Sequence, residues 1–594
     1  MNATSHRAQP LARSLVGAGL VAIAVGSWIW RTPPALGTQG SHGPPLESRR
    51  GAVAADDPTA SAVGAAVLAE GGNAVDAAVA TALAVGVLNP ASSGIGGGGF
   101  ALVWDAGART TRVYDFREVA PATLDPSDFH VDGKPDPALA RRGGLAVGVP
   151  GEIRGLAQMA RGQGRLSWRR LVLPAAHLAR DGTPTSWFLA HVSPETLADL
   201  PDEPPYTPLR DLLGGDRARR RGDLLVRPAL AATLLAVAAD PEAFYRGPLA
   251  DDLVATARAA GGVISAEDLA AYQVVERAPL WGSWQGLRVA TMPVPSSGGV
   301  ILLETLGILE RTGIDLPALG AGSSAAMHVI AEALKHGFAD RARLMGDSES
   351  GRAAAAALLD DARLRRLAAR VRLDRTQPAA VYGEMPAGPA GVGGRPGTGG
   401  TSHVCVIDVE GNAVSLTTTV NGYFGSKLVT AGGVVLNNQI DDFTIDPTLV
   451  NGFGLTQSEA NLVGPGRRPL SSMTPTLLFD GDRVVGCAGG SGGPRIISNT
   501  AQVILGVWLF GLDARTAVES QRVHHQWSPD ELKVEADLAP DVRGALAARG
   551  HVLGVTGSPS AVQVIRVRPD GVLEAASDPR KGGAPAAPAG PAWP

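Results

Sequence analysis

The residues best suited to chemistry end a long Pro/Gly-rich stretch, where "GGTSHVCVIDVEGNAVSLTTTVN" runs from Gly399 to Asn421. Two glycines lead straight into Thr401. Cleavage of the Gly400–Thr401 bond would free the threonine α-amine, whose ordinary pKa of about 7.7–8.0 leaves part of it neutral near pH 8. A neutral amine can take the proton from the same residue's hydroxyl, directly or through one water, and so make an activated nucleophile. The same hydroxyl could make the cut by attacking the Gly400 carbonyl. Residues without Cβ leave room for the backbone geometry of that step. Taken alone, these residues read as a linker feeding a β-hairpin, since Thr is common at strand starts.

Other patterns invite chemistry and do not complete it. "GIGGGGF" (94–100) is similar to a nucleotide loop, but no Lys-Ser/Thr follows and no acidic residue stands where a ribose partner is needed. His524 and His525 are adjacent, without metal-site spacing or a carboxylate in the motif, so no metal is expected. Cys405 and Cys487 are the only cysteines, both in β-type runs, and read as buried free thiols rather than a disulfide. Arg217, Arg219, Arg220 and Arg221 sit in a polar loop and read as a solvated face. A net charge of -4 without a clustered basic face excludes nucleic acid as a partner.

The elements that must position Thr401 follow from patterning. The 594 residues exceed one ordinary core, so two domains or one large one are expected. Arg7 and Arg13 precede Ser14–Trp30, an uncharged run of 17 residues, between a signal-peptide core and the shortest spanning helix. With small residues at Ala35 and Gly37, residues 1–37 read as an export signal, or as a membrane anchor if retained. Either way the folded body is expected outside the cytoplasm, in the periplasm or beyond. "PTASAVGAAVLAEGGNAVDAAVATALAVGVLNP" reads as two helices split by Gly71-Gly72, the second capped by Asn73. A glycine loop and a hairpin follow, then a largely helical region from Gly151 to about Val371. Residues 379–400 shift to Pro, Gly and Ala and read as a mobile segment. After Thr401 the chain is strand-rich, and from about residue 581 it reads as a disordered tail. Helical layers around strand-rich segments predict an α/β sandwich with sheets covered on their outer faces.

"TSHVCVIDVEGNAVSLTTTVN", "LNNQIDDF", "GPGRRPLSSMTPT" and "GGSGGPRI" resemble, in order and spacing, the signature blocks of the gamma-glutamyltransferases. "EGGNAVDAAVA", "YDFREVAP", "GVPGEIRGL", "PVPSSGGV" and "VHHQW" fit too, so the resemblance runs from about Gly51 to "SDPRKGG". It implies an N-terminal-nucleophile hydrolase with a four-layer αββα sandwich. It also implies autocleavage between Gly400 and Thr401 into a large subunit, 38–400, and a small subunit, 401–594, held as a heterodimer that uses no cofactor. Thr401 then matches the nucleophile and Thr419 a second hydroxyl that orients it. Strand alternation puts Thr417 on the same face, and the motif favours Thr419.

Arg117 in "DFRE" matches the residue that grips the α-carboxylate of the glutamyl group, a task suited to a planar fork. Asp442 matches the partner of the α-ammonium, with Asn421 and Gln439 sharing that work. Ser471 and Ser472 match hydroxyls that complete the carboxylate site. Gly492 and Gly493 match an oxyanion hole of backbone N–H groups. The implied reaction carries a γ-glutamyl group from glutathione, or another γ-glutamyl compound, through a Thr401 ester to water, an amino acid or a peptide.

Two departures stand out. Residues 446–463 have the length of the family's lid loop, but Phe453 stands where many bacterial members place a gating tyrosine, and a phenyl ring donates no hydroxyl hydrogen bond. Ser402 stands where relatives often carry a second threonine. The alternative is a glutaryl or cephalosporin acylase of the same fold; Asn421, Gln439, Asp442 and the long lid favour the glutamyl reading.

Overall fold

Gly399 and Gly400 are the first residues of a strand, not the end of a linker. The computed structural model describes residues 44–384, 399–557 and 559–589. The expected leader or anchor at 1–37 and most of the Pro/Gly-rich stretch, 385–398, lie outside the described residues. Gly399 pairs with Gly422 and Gly400 with Asn421, and both glycines are buried. The expectation of a mobile segment reaching residue 400 is therefore corrected: backbone pairing claims its last two residues.

The first part of the chain supplies β1 (Leu46–Ser48), β2 (Gly51–Ala55), β3 (Gly98–Asp105), β4 (Thr110–Phe116), β5 (Val275–Arg277), β6 (Leu280–Trp284) and β7 (Leu287–Thr291). The part from Gly399 supplies β8 (Gly399–Asp408), β9 (Ala413–Gly422), β10 (Thr476–Asp480), β11 (Arg483–Ser491), β12 (Ala561–Val567) and β13 (Leu573–Ser577). One antiparallel sheet has the order β2-β8-β9-β3-β4-β5. The other has the order β1-β13-β12-β11-β10-β7-β6, also antiparallel. The principal covering helices are α1 (Pro58–Ala69), α2 (Ala74–Leu88), α3 (Gly298–Arg311), α4 (Ser324–Leu344) and α5 (Arg495–Trp508).

Side-chain alternation with period two sorts these elements into layers. Val404, Val406, Val414 and Leu416 face the same core as Val79 and Leu83 of α2. Their neighbours Cys405 and Ile407 point the other way, into a core shared with Leu477, Phe479, Cys487 and Ile565 of the second sheet. The far face of that sheet, with Leu478, Ala488, Val562 and Val564, packs with Ile301, Phe338 and Ile504 of α3, α4 and α5. The result is helix, sheet, sheet, helix. Both faces of β8 and β9 are covered, and their residues are buried up to Asn421, the site threonines included.

Helix α2 is buried along its whole length. Its first turn is closed by Asn73, whose side chain accepts from Val75 and Asp76 while Asp76 accepts from the Asn73 amide. This is the reciprocal cap expected of Asn at that position. Cys405 and Cys487 are buried free thiols. None of the described helices is long and apolar enough to cross a membrane.

The tail from about residue 581 corrects a second expectation. Ala586 exchanges two backbone hydrogen bonds with Val53, at 2.9 and 2.8 Å, so the chain passes along β2. Small residues suit this close passage, and Lys581 is fixed by buried partners rather than by apolar packing.

Candidate active site

The hairpin β8–β9 brings two hydroxyls to one carbonyl. Between Gly400 and Ser402 the pairing register shifts, leaving Thr401 at a bulge, a feature that re-aims a side chain. The Thr401 hydroxyl donates to the Gly400 carbonyl oxygen at 2.7 Å, and the Thr419 hydroxyl donates to the same oxygen at 2.5 Å. The two hydroxyl oxygens are 3.2 Å apart. Thr419 Oγ1 also accepts from the Asn421 amide at 2.8 Å, which fixes its lone pairs and leaves its proton for Gly400. Thr417 instead meets His403 Nδ1 at 2.8 Å. A Cβ on Gly400 would lie 2.5 Å from the Ala91 carbonyl oxygen, so only glycine fits at this junction.

Strand β8 runs unbroken through Gly400–Thr401. The Thr401 nitrogen there is a peptide amide.

Gly492 and Gly493 follow β11 with φ of +122° and +63°, the region where glycine is favoured. A Cβ on Gly399 would lie 2.7 Å from the Gly493 amide nitrogen. A Cβ on Gly493 would lie 2.9 Å from Phe453, so the phenyl ring covers this corner.

From Thr401 the remaining residues close a ring. Asn421 Nδ2 donates to the Asn438 carbonyl at 3.0 Å, and the neighbouring Gln439 donates from Nε2 to Asp442 Oδ2 at 2.8 Å. Arg117 Nη2 donates to the same Asp442 oxygen at 2.5 Å, and its Nε donates to the Pro469 carbonyl at 3.2 Å. The other Asp442 oxygen accepts from Asn451 Nδ2 at 3.5 Å, and Asn451 Oδ1 accepts from the Phe453 amide at 3.0 Å. Phe453 then leads back to Gly493. Arg117 is fully buried and Asp442 is 7% exposed. Ser471 is buried and bonded as backbone: its carbonyl accepts from Ser297 N and Oγ, and its hydroxyl accepts from the Met473 amide. Ser472 is half-buried, with its carbonyl accepting from Thr474.

The surrounding electrostatics are unusual. Burial pushes the Glu118 carboxyl up to about 7 against the pull of Arg117, and neither oxygen has a hydrogen-bond partner. Burial pushes Glu152 up to about 8. Asp441 is raised to about 6 by burial, although Arg141 opposes the shift. Arg341 is buried and lowered to about 10 by desolvation; its Nε donates to Ser297 and its Nη1 has no partner.

Reasoning from sequence missed Lys581 and Asp56. Lys581 Nζ lies 2.5 Å from the Thr401 carbonyl oxygen, 3.0 Å from Asp56 Oδ2, 3.1 Å from Ser92 Oγ and 3.3 Å from Ser491 Oγ. Burial pulls this amine below its ordinary value and Asp56 opposes that pull. A lysine in the quoted "SDPRKGG" was the available signal, and the alanine- and proline-rich tail masked it.

His524 and His525 hold protein groups: His524 meets Ser498 and Gln526, and His525 meets Asp530. Another group, His328, Glu332 and His551, has ligand atoms within 4.8 Å of one another. Its polar atoms are engaged by protein: His328 bonds His551 and the Arg372 carbonyl, and Glu332 accepts from Thr376 and Tyr382.

Two face-to-face sheets between helices, with a threonine hydroxyl set against the preceding carbonyl, define an N-terminal-nucleophile hydrolase. In fold the chain is similar to a cephalosporin acylase from Bacillus halodurans, with a TM-score of 0.80 at 27% identity over 94% of this chain and 99% of that one. It is likewise similar to the Helicobacter pylori gamma-glutamyltranspeptidase, with a TM-score of 0.52 at 33% identity over 60% of this chain and 99% of that one. The Gamma-glutamyltranspeptidase family profile matches residues 60–588. The glutathione hydrolase proenzyme of Escherichia coli (strain K12) is 37% identical over 548 residues, covering 90% of this chain and 91% of the relative. The chain belongs to the gamma-glutamyltranspeptidase family.

Proposed function

We propose that this protein is a self-processing gamma-glutamyltransferase and glutathione hydrolase. In the first stage the Thr401 hydroxyl adds to the Gly400 carbonyl carbon. The Thr419 hydroxyl stabilises the oxygen that gains charge. Breaking the C–N bond leaves Gly400 esterified to Thr401, and water releases it to give a Gly400 carboxylate and a free Thr401 amine. Large and small subunits stay joined because β8 and β9 lie between β2 and β3 in one sheet.

In the second stage the Thr401 amine accepts the hydroxyl proton as the oxygen attacks the γ-carbonyl of the donor. The Gly492 and Gly493 amides receive the oxyanion, a contribution of about 10²–10³ in rate per donor. The departing amine takes the proton, and the γ-glutamyl ester passes to water or to an amino acid or peptide. No cofactor enters these steps. Residues 1–37 suit export of the enzyme.

One observation carries the substrate reading: the buried Arg117–Asp442 pair stands on the ring that begins at Thr401. A free α-amino acid head group matches both charges at once. Its carboxylate replaces Asp442 on Arg117, with Ser471 and Ser472 beside it. Its ammonium replaces Arg117 on Asp442, with Gln439 and Asn421 beside it. One ion pair is exchanged for two.

The fold likeness to a cephalosporin acylase supports the second reading, a substrate without an α-ammonium. Asp442→Asn separates them. Loss of one partner from a buried ion pair predicts a fall in kcat/KM of roughly 10²–10³-fold for a γ-glutamyl anilide. A glutaryl anilide, which lacks the ammonium, should lose far less. Equal losses on both would favour the acylase.

A further inference from the structure

The loop at 446–463 carries Phe453 in place of a tyrosine, so no side-chain hydroxyl can fasten its tip, yet the tip is fastened. Val450 and Thr456 form an antiparallel bridge, and Asn451 closes the turn between them. Asn451 Oδ1 accepts from the amides of Phe453 at 3.0 Å and Leu455 at 3.1 Å. From below, Gly452 N donates to both Asp441 oxygens at 2.9 and 3.1 Å, while Asn451 Nδ2 reaches Asp442. From outside, Gln526 in "VHHQW" donates from Nε2 to the Gly454 carbonyl at 2.9 Å and faces the Phe453 carbonyl at 3.4 Å.

The orientation of that amide is set by its neighbours. Nε2 also faces the Ser528 carbonyl at 3.4 Å, and carbonyl oxygens only accept, so the NH₂ group must lie on this side. Oε1 then meets His524 Nε2 at 3.0 Å, which requires the proton on that ring nitrogen. His524 Nδ1 is left to accept from Ser498 Oγ at 2.9 Å, the shorter of the two contacts open to that hydroxyl, the other being the Arg495 carbonyl at 3.2 Å. Ser498 stands in the first turn of α5, three residues after Arg495, and α5 begins two residues after Gly493. Gln526 therefore couples the loop tip to the helix that leaves the oxyanion hole.

We infer that Gln526, oriented by His524 and Ser498, is the latch that holds the 446–463 loop over the site and so sets which acceptors reach the Thr401 ester. It is a positioning residue acting through the loop backbone. The inference rests on the gamma-glutamyl reading for its acceptor chemistry, and on geometry alone for the latch.

Gln526→Glu keeps the volume and the contact to His524 Nε2–H but loses both N–H donors. Gln526→Leu, a second variant, keeps most of the volume and loses every polar atom. Two readouts on the processed heterodimer decide the matter. Amide hydrogen exchange over 446–463 should quicken in both variants by about 3–10-fold, the size of one or two neutral hydrogen bonds. With one γ-glutamyl anilide as donor, the ratio of transfer to a bulky dipeptide over transfer to glycine should rise by a similar factor. Both acceptors draw on the same ester, so the ratio is independent of how fast the ester forms.

Exchange and ratio at wild-type values in both variants would overturn the latch. Faster exchange with an unmoved ratio would leave the loop fastened by Gln526 but overturn its control of acceptors. A wild-type enzyme that forms no ester with any γ-glutamyl donor would sink the substrate reading instead, with the exchange arm still deciding the latch.

Discussion

Thr419 does two things through one oxygen: it accepts from the Asn421 amide and donates to the Gly400 carbonyl. The first contact belongs to the strand; the second belongs to the cut. Thr419→Val keeps a β-branched residue of similar shape in β9 and removes the hydroxyl, and with it both the donor to Gly400 and the acceptor of the Asn421 amide. Loss of one donor to a developing oxyanion typically costs about 10²–10³ in rate, so release of a fragment beginning Thr-Ser-His-Val should slow by that order. The rate is read by N-terminal sequencing and gel densitometry over time, with Thr401→Ala as the uncut reference. Cleavage at the wild-type rate would mean that Thr401 and the bulge suffice. Thr417, two residues away on the same face, bonds His403 instead, so strand alternation alone could not choose between the two threonines.

At the scale of elements, the segment after β13 is a strap. It ties residue 586 to β2 and inserts Lys581 behind β8, where the amine bridges Asp56, Ser92, Ser491 and the Thr401 carbonyl. Removing one member of a buried pair leaves the other charge unmatched, a loss of about 3–5 kcal/mol. Lys581→Met should lower the urea midpoint of the heterodimer accordingly, and adding Asp56→Asn should recover more than half of the loss. A single variant as stable as wild type would show that Asp56 is neutral in the folded protein. The loop at 446–463 is held differently, by hydrogen bonds to its backbone: Gly452 N donates to Asp441, Arg141 donates to the Val450 carbonyl, and Gln526 donates to the Gly454 carbonyl. Polar fastening of this kind suits a segment that must open.

At the scale of the whole molecule, two carboxyls sit deep beside the site. Folded Glu152 keeps its proton up to about pH 8 and Glu118 up to about pH 7. In the unfolded chain both release it above about pH 4.3. The unfolded state therefore binds fewer protons across that window, and stability falls as pH rises through it before levelling off. Glu152→Gln cannot ionise and should flatten part of this slope. Its thermal midpoint relative to wild type should climb between about pH 5 and about pH 9, and parallel curves would rule the assignment out.

What could be read from the chain alone was whatever depends on residue type and near neighbours. Asn73 caps α2 because its partners lie within three residues. Helical segments on either side of strand-rich ones predict sheets covered on their outer faces. Gly400–Thr401 read as a junction able to cleave itself only beside the family motifs, since on its own residues it reads as a linker feeding a strand. The family motifs, taken as blocks, supplied Arg117, Asp442 and the glycine pair. Contacts between distant parts of the chain stayed hidden. Lys581 and Asp56 are 525 positions apart, and the tail's small residues look like disorder until β2 offers them an edge. Only the tertiary structure decided that Thr419 donates to the Gly400 carbonyl, that Gln526 donates to the Gly454 carbonyl, and that Glu118 and Glu152 are buried. Hydrogen bonds and desolvation depend on what surrounds a group in space, and local sequence does not record it.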